Sequence, residues 1–195
     1  MGWSIRDGAG KGNSARVDDK GRLWVDSKSL SMQHLASHKD GQAYQVMGIS
    51  TLANATVAAL HIKNNSSDLD LVVTYIRHQI IDEAGGTALP NASNYLRVAF
   101  GRTYASGGAA VTPVNMNKKS GNDADVTAYQ TSPTLAGTAT EFDRWYTKAE
   151  ADMHSWNKEG TVILGKNDTM ELSYVGDHTS GSIFTRMSFV MQPAE

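Results

Sequence analysis

The sequence predicts an all-β chain, an antiparallel β-sandwich of jelly-roll-like type with an extended N-terminal arm and hairpin ahead of it. Charged residues are 19% of the chain, below the quarter or so usual in soluble domains, and Gly, Ser, Thr, Asn and Ala are plentiful, a palette of strands and turns. From Gln42 onward about eight short runs rich in β-branched and aromatic residues are separated by turn-forming clusters, the spacing of a two-sheet sandwich. No strand-helix unit recurs along the chain, which argues against a parallel α/β layout. The 195 residues suffice for one domain with a sizeable core.

Residues 1–40 read as the arm. They are polar and glycine-dotted, with isolated large apolar residues at Trp3, Ile5, Leu23, Trp24 and Val25. Ala15-Arg16-Val17 and Arg22-Leu23-Trp24-Val25 flank the turn-forming tetrad Asp18-Asp19-Lys20-Gly21, so a short hairpin is expected there. Residues 31–38 fit either a short helix or a loop.

Residues 41–195 are expected to form the sandwich. Residues 56–63 alternate, with Ala58, Leu60 and Ile62 on one face, and end in Asn64-Asn65-Ser66-Ser67-Asp68, residues that favour turns. Residues 69–81 are rich in β-branched side chains and apolar on both faces in the middle, the mark of a central strand. The short polar turn between these runs makes them an antiparallel pair. Further strands are expected at 95–104, 109–116, 141–147, 161–164, 169–175 and 182–191. Residues 117–140 are mostly small and polar and are expected to project as a long loop, a type usually functional or mobile. Residues 149–153 suggest a short helix over one end.

Composition excludes several functions. A formal net charge of −2 supplies no long-range attraction to nucleic acid or an anionic membrane. The absence of cysteine removes disulfides, thiolate metal sites and cysteine nucleophiles. The first residues carry no apolar signal core and no run approaches the roughly 20 apolar residues of a membrane span, so the chain is expected to be made in the cytoplasm. The Asn-x-Ser/Thr triplets at Asn54, Asn64, Asn65, Asn91 and Asn167 then read as turn residues rather than glycosylation sites.

Asp7-Gly8-Ala9-Gly10-Lys11-Gly12-Asn13-Ser14 holds the ingredients of a phosphate loop in the wrong arrangement. Gly12 follows Gly10-Lys11, no buried strand precedes the glycines and Ala15 opens a hairpin, so neither a Walker loop nor a dinucleotide fingerprint results. The glycines read as pliable backbone that follows a surface closely. His34 and His38 have the spacing of a helical metal pair without a third ligand beyond Asp40. His61, His78, His154 and His178 are scattered. Asp68-Leu69-Asp70 and Asn122-Asp123-Ala124-Asp125 lack the spaced ladder of a calcium loop. Asp177 to Ser182 are too close in sequence for a hydrolase triad. No catalytic residue, metal or cofactor is expected.

Trp145, Tyr146 and Trp156 stand among Asp143, Arg144, Asp152 and Asn157. Aromatics beside polar groups suit a carbohydrate-binding face or a protein interface, and they suit a core equally well. Glu141, Asp143, Glu150 and Asp152 are candidate carboxylates for glycoside hydrolysis, with no pairing distance readable from sequence.

Several motifs together resemble a known class. They are Asp7-Gly8-x-Gly10-x-Gly12 with Ala15-Arg16-Val17-Asp18-x-x-Gly21-Arg22-Leu23, Lys63-Asn64-Asn65 continuing to Leu69-Asp70-Leu71-Val72-Val73, and Val162-Ile163-Leu164-x-Lys166-Asn167-Asp168. The chain resembles, in outline over its whole length, the small virion structural proteins of tailed bacteriophages that decorate or cement the head or form fibres. The resemblance implies a non-enzymatic virion module, a homo-oligomer (dimer or trimer) that clamps the major capsid protein or other virion proteins and stabilises the shell. Trp3, Ile5, Leu23 and Trp24 cannot bury themselves within such short polar segments, so with Arg6, Lys11 and Arg16 they form the expected partner-binding set. Strand addition by the arm would supply main-chain hydrogen bonds while alternate side chains fill pockets. Burial at about 25 cal/mol per Å² offsets part of the arm's ordering entropy. The alternatives are a sugar- or receptor-binding fibre sandwich using Trp145, Tyr146, Trp156 and loop 117–140, and a sandwich-fold glycosidase.

Overall fold

A computed structural model of the chain describes residues 5–6, 14–17, 23–24, 36–81, 94–147, 153–157 and 161–194. The chain divides into two compact units, Met1–Ser31 and Met32–Glu195. In the first, β1 (Ile5–Arg6), β2 (Ser14–Val17) and β3 (Leu23–Trp24) form a three-stranded antiparallel sheet. Arg16 lies opposite Trp24 and Val17 opposite Leu23, the hairpin that the turn tetrad predicts. β1 adds to the other edge of β2, Ile5 opposite Ala15.

The second unit is a sandwich whose strands, in chain order, are β4 (Ala43–Thr51), β5 (Ala55–Asn64), β6 (Leu69–Ile81), β7 (Tyr95–Phe100), β8 (Thr103–Ser106), β9 (Ala109–Ala110), β10 (Val114–Asn115), β11 (Val126–Gln130), β12 (Thr134–Ala136), β13 (Thr140–Tyr146), β14 (Met153–Trp156), β15 (Val162–Leu164), β16 (Thr169–Gly176) and β17 (Ser182–Pro193). The first sheet runs β10-β4-β17-β6-β14 with β15 also on β6, and the second runs β13-β7-β16-β5-β11-β9. Numbering β4, β5, β6, β7, β13, β14, β16 and β17 from first to eighth, the sheets read 1-8-3-6 and 5-4-7-2, the strand order of a jelly roll. The segment from β8 to β12 is an insertion between the fourth and fifth of these strands.

Alternate residues of each strand face the interior. Tyr44 and Val46 of β4, Leu71, Val73 and Ile76 of β6, and Met187, Phe189 and Met191 of β17 meet Leu60, Ile62, Val98, Met170 and Leu172 of the second sheet in one core. Leu52, Val57, Ala59, Ile80, Leu96, Tyr174 and Ile183 form a second cluster. Backbones approach most closely at Gly48, where a Cβ would collide with the Ala59 carbonyl. Ala59 is the extra residue of a bulge, since Leu60 and Ala58 pair with consecutive Leu172 and Ser173.

Two buried asparagines tie turns together. Asn64 donates from Nδ2 to the carbonyls of Leu69 and Leu164, both at 2.9 Å, and its Oδ1 accepts from the Ser66 amide at 3.0 Å. Asn94 Oδ1 accepts from Tyr174 Oη at 2.7 Å and from the Asp177 amide at 3.0 Å.

The central-strand expectation for 69–81 matches β6, and 95–104 is split into β7 and β8 at Gly101, whose φ of 89° breaks the strand. The segment 117–140, expected as a projecting loop, carries β11 and β12. Val126–Gln130, whose Val, Thr and Tyr favour strands, pairs with Asn64 to Leu60 of β5. Residues 36–40 form a π-helical turn, with Ala36 buried against Ala43, Val72 and Val190. Residues 31–35 and 148–152 lie outside the described residues, and Met153, expected in a short helix, opens β14.

Candidate functional site

The two sheets present opposite outer faces, built on different principles. On the first sheet, register places Gln45, Ser188 and Tyr75 in one row and Met47, Arg186, Arg77 and Ser155 in the next. Ile49, Phe184, Gln79 and Met153 make the third row, and Thr51, Ser182 and Ile81 the fourth. Met47, Ile49, Met153 and Ile81 are 48, 45, 49 and 44% exposed, and Phe184 is partly exposed between them. Val114 of β10, also exposed, extends the first row beside Gln45. Arg77 and Arg186 lie directly opposite one another, and among the described residues of these rows there is no carboxylate to face them. Arg77 reaches the Gln79 amide oxygen, at 3.5 Å, and Arg186 Nε has no partner among the described residues. Like charges placed opposite one another disfavour the pairing, so this face is neither apolar-covered nor charge-balanced.

The outer face of the second sheet is covered and balanced. Glu171 of β16 is buried, pairs with the Arg97 guanidinium, and receives Arg102 Nη1 at 3.3 Å. Arg102 follows the Gly101 bend and also donates Nη2 to the Leu135 carbonyl of β12 at 2.9 Å. β8 and β12 pair antiparallel as a separate two-stranded sheet. His61 of β5 contacts the Arg102 carbonyl through Nε2 at 3.0 Å, and the Tyr104 ring stacks on Tyr129 at 3.6 Å, nearly parallel. Desolvation under this cover lowers the His61 pKa, holding the ring neutral. At the sheet edge Arg144 forms a bidentate pair with Glu141, 2.7 and 2.9 Å, and lies 4.0 Å over the Tyr95 ring. The hydrogen bonds from Arg144 hold the Glu141 carboxyl below the usual range.

Beside the β8–β12 pair the second face opens into a cleft of about 400 Å³ bordered by β8 and the strands β5 and β11. Lys63, Asn65, Thr127 and Asn167 line it together with the stacked Tyr104 and Tyr129. A second cleft of about 340 Å³, reaching Phe100, Ile163 and Asp168, shares Thr103, Asn167 and Thr169 with it.

Inside the sandwich, His78 lies opposite His154 across β6 and β14. Its Nδ1 is 2.8 Å from Thr185 Oγ1 and its ring packs against Trp145. Complete burial pushes its pKa down to about 3.

The expected partner-binding residues Ile5, Arg6, Arg16, Leu23 and Trp24 fall on β1, β2 and β3, while Trp3, Lys11 and the glycines between β1 and β2 lie outside the described residues. Trp156 is buried in the main core and Trp145 packs against both clusters, so of the three aromatics weighed for a sugar face only Tyr146 is exposed. Glu141 is committed to Arg144, and Asp143 Oδ1 accepts from the Arg144 amide at 2.8 Å. Glu150 and Asp152 lie outside the described residues. Sequence reading missed the Met47–Ile49 face, although β4 carries apolar residues at both parities, a signal of two functional faces. It also missed Tyr104 and Tyr129, which are 25 positions apart on β8 and β11 and meet only in the folded insertion. No protein-family model matches the chain, and neither a curated protein nor a solved structure matches it at a significant level.

Proposed function

We propose that the chain is a non-enzymatic structural module of a bacteriophage virion, a decoration or cement protein that docks on the major capsid protein or another virion protein and works as a dimer or trimer. The observation that carries this reading is the bare outer face of the first sheet. Several exposed apolar side chains there surround two arginines that have no carboxylate partner among the described residues, and contiguous apolar patches on soluble domains mark interaction sites. Aromatic residues, Met and Arg are the types enriched in interface cores. The complementary surface is apolar and bears carboxylates placed to meet Arg77 and Arg186. The jelly-roll order and the separate N-terminal sheet that holds Ile5, Arg16 and Trp24 support a body-plus-anchor design. Glu141 and Asp143, the described carboxylates weighed for glycoside hydrolysis, are both tied to Arg144, which favours the non-enzymatic reading.

The test is direct. Particles purified from a lysate of a phage that encodes the chain should contain it at a copy number set by shell symmetry, and side-chain-resolution imaging should place Met47, Ile49 and Phe184 against a neighbour. Complete recovery of the chain in the particle-free supernatant would refute the proposal.

A further inference from the structure

We propose that the cleft on the outer face of the second sheet, between β8 and strands β5 and β11, is a binding site for a neutral saccharide. It lies on the sheet opposite the docking face and is independent of the virion reading.

The lining has the chemistry of polyol recognition. One wall is the Tyr104 ring, backed by the parallel Tyr129 ring at 3.6 Å. Such a platform offers a flat apolar surface at low entropic cost, to which the C–H face of a pyranose is complementary. Around it stand Thr103, Asn65, Thr127 and Asn167, hydroxyls and amides able to donate and accept at once. Thr127 Oγ1 is already oriented by the Asn65 amide at 2.8 Å. The floor includes His61, 1% exposed. Its Nε2 is 3.0 Å from the Arg102 carbonyl, which assigns the proton to Nε2 and leaves Nδ1 an acceptor. Nδ1 is buried without a partner among the described residues and lies beneath the cleft surface, so the ring serves as a neutral floor rather than as a ligand contact.

Charge excludes the other common small ligands. Lys63 is the cation of this cleft and Asp168 the carboxylate of the adjoining one, so neither the clustered cations of a phosphate site nor the paired carboxylates of a hard-cation site are assembled. Volumes of about 400 and 340 Å³ fall in the small-molecule range. Because the two clefts share Thr103, Asn167 and Thr169, the occupant is extended, an oligosaccharide rather than a single ring. Asn167 is held at φ 67° by the turn it belongs to, and asparagine is among the few side chains that tolerate this conformation. The turn thereby places an amide between both clefts.

The experiment is binding of the intact chain to an array of neutral, sialylated, uronic-acid and sulfated oligosaccharides, followed by titration of the best neutral hit monitored through backbone amide shifts. Binding should concentrate on neutral glycans and shift the amides of Tyr104, Tyr129 and Asn167. Tyr104→Ala should weaken it by about tenfold or more, and Thr103→Val, an exposed and nearly isosteric change, should weaken it measurably. Met47→Ser on the other sheet should leave it unchanged. Absence of binding to any neutral glycan up to about 10 mM, binding to sulfated glycans alone, or unaltered affinity in folded Tyr104→Ala and Thr103→Val proteins would each overturn the assignment.

Discussion

The outer faces of the two sheets are made from the same strand chemistry and end in opposite states. The second face closes its charges on itself. Glu171 and Glu141 are matched to Arg97, Arg102 and Arg144, and the β8–β12 pair packs beside them. The first face leaves Arg77 and Arg186 without a carboxylate among the described residues, amid exposed Met47, Ile49, Ile81 and Met153. Completed electrostatics therefore marks the face that stabilises the body, and incomplete electrostatics marks the face proposed to dock. The insertion between β7 and β13 contributes to the difference, since its β8 and β12 form a separate pair from which Arg102 and Tyr104 reach the second sheet, while β9 and β11 widen that sheet and β10 joins the first.

The comparison can be broken most sharply at Glu171. Glu171→Gln removes the buried partner of two arginines and is expected to cost about 3–5 kcal/mol, the usual penalty for stranding a buried charge. Urea unfolding would measure it, and hydrogen exchange should show Thr103–Ser106 losing protection first. A loss below about 1 kcal/mol would mean that the pair behaves as a surface ion pair and that the β8–β12 pair seals nothing.

Acid separates the sheets by a different route. His78, beneath the first sheet, stays neutral until about pH 3, whereas an imidazole in the unfolded chain protonates near 6.5. Its folded pKa is depressed, so between those values the unfolded state holds the extra proton. The contribution is whole above about pH 6.5 and falls by up to about 1.4 kcal/mol per pH unit as pH drops toward 3. At pH 5 that is roughly 2 kcal/mol. His78→Gln should flatten this part of the stability–pH curve, and an unchanged slope would exclude His78 as its source.

Gly48→Ala probes the seam where the sheets meet. Its Cβ would meet the Ala59 carbonyl, and overpacking of this kind costs about 1–3 kcal/mol. Thermal unfolding would register it as a lower Tm with intact β-sheet circular dichroism.

Smallest in stability is the bare face. Met47→Ser combined with Ile49→Ser is expected to change the unfolding free energy by less than about 0.5 kcal/mol per site, while abolishing particle binding and shifting solution mass toward the monomer. A large loss of stability would show that these side chains serve the body rather than a partner.

How much was legible in the sequence follows from range. β6 at Leu69–Ile81 and β16 at Thr169–Gly176 are long, strongly β-branched or alternating, and their spans read directly. The N-terminal hairpin was legible from Asp18-Asp19-Lys20-Gly21 because turn chemistry acts over four residues. β11 was not, since Val126-Thr127-Ala128-Tyr129-Gln130 becomes a strand through its pairing with β5, a partner about 65 positions away. Trp145 and Trp156 were legible as important and ambiguous in role, because an aromatic at a strand position carries no mark of which face turns inward until register is set.

The sequence by itself determined the all-β class, the turns, the absence of thiol chemistry and the polarity of each strand position. These depend on local sterics, composition and period. Only the tertiary structure decided that Arg97 and Arg102 meet Glu171, that Tyr104 meets Tyr129, and that Arg77 and Arg186 stand side by side with no acid facing them among the described residues. Those outcomes depend on strand order and register, which join residues distant along the chain, and charge and packing take their sign from the neighbours that register supplies.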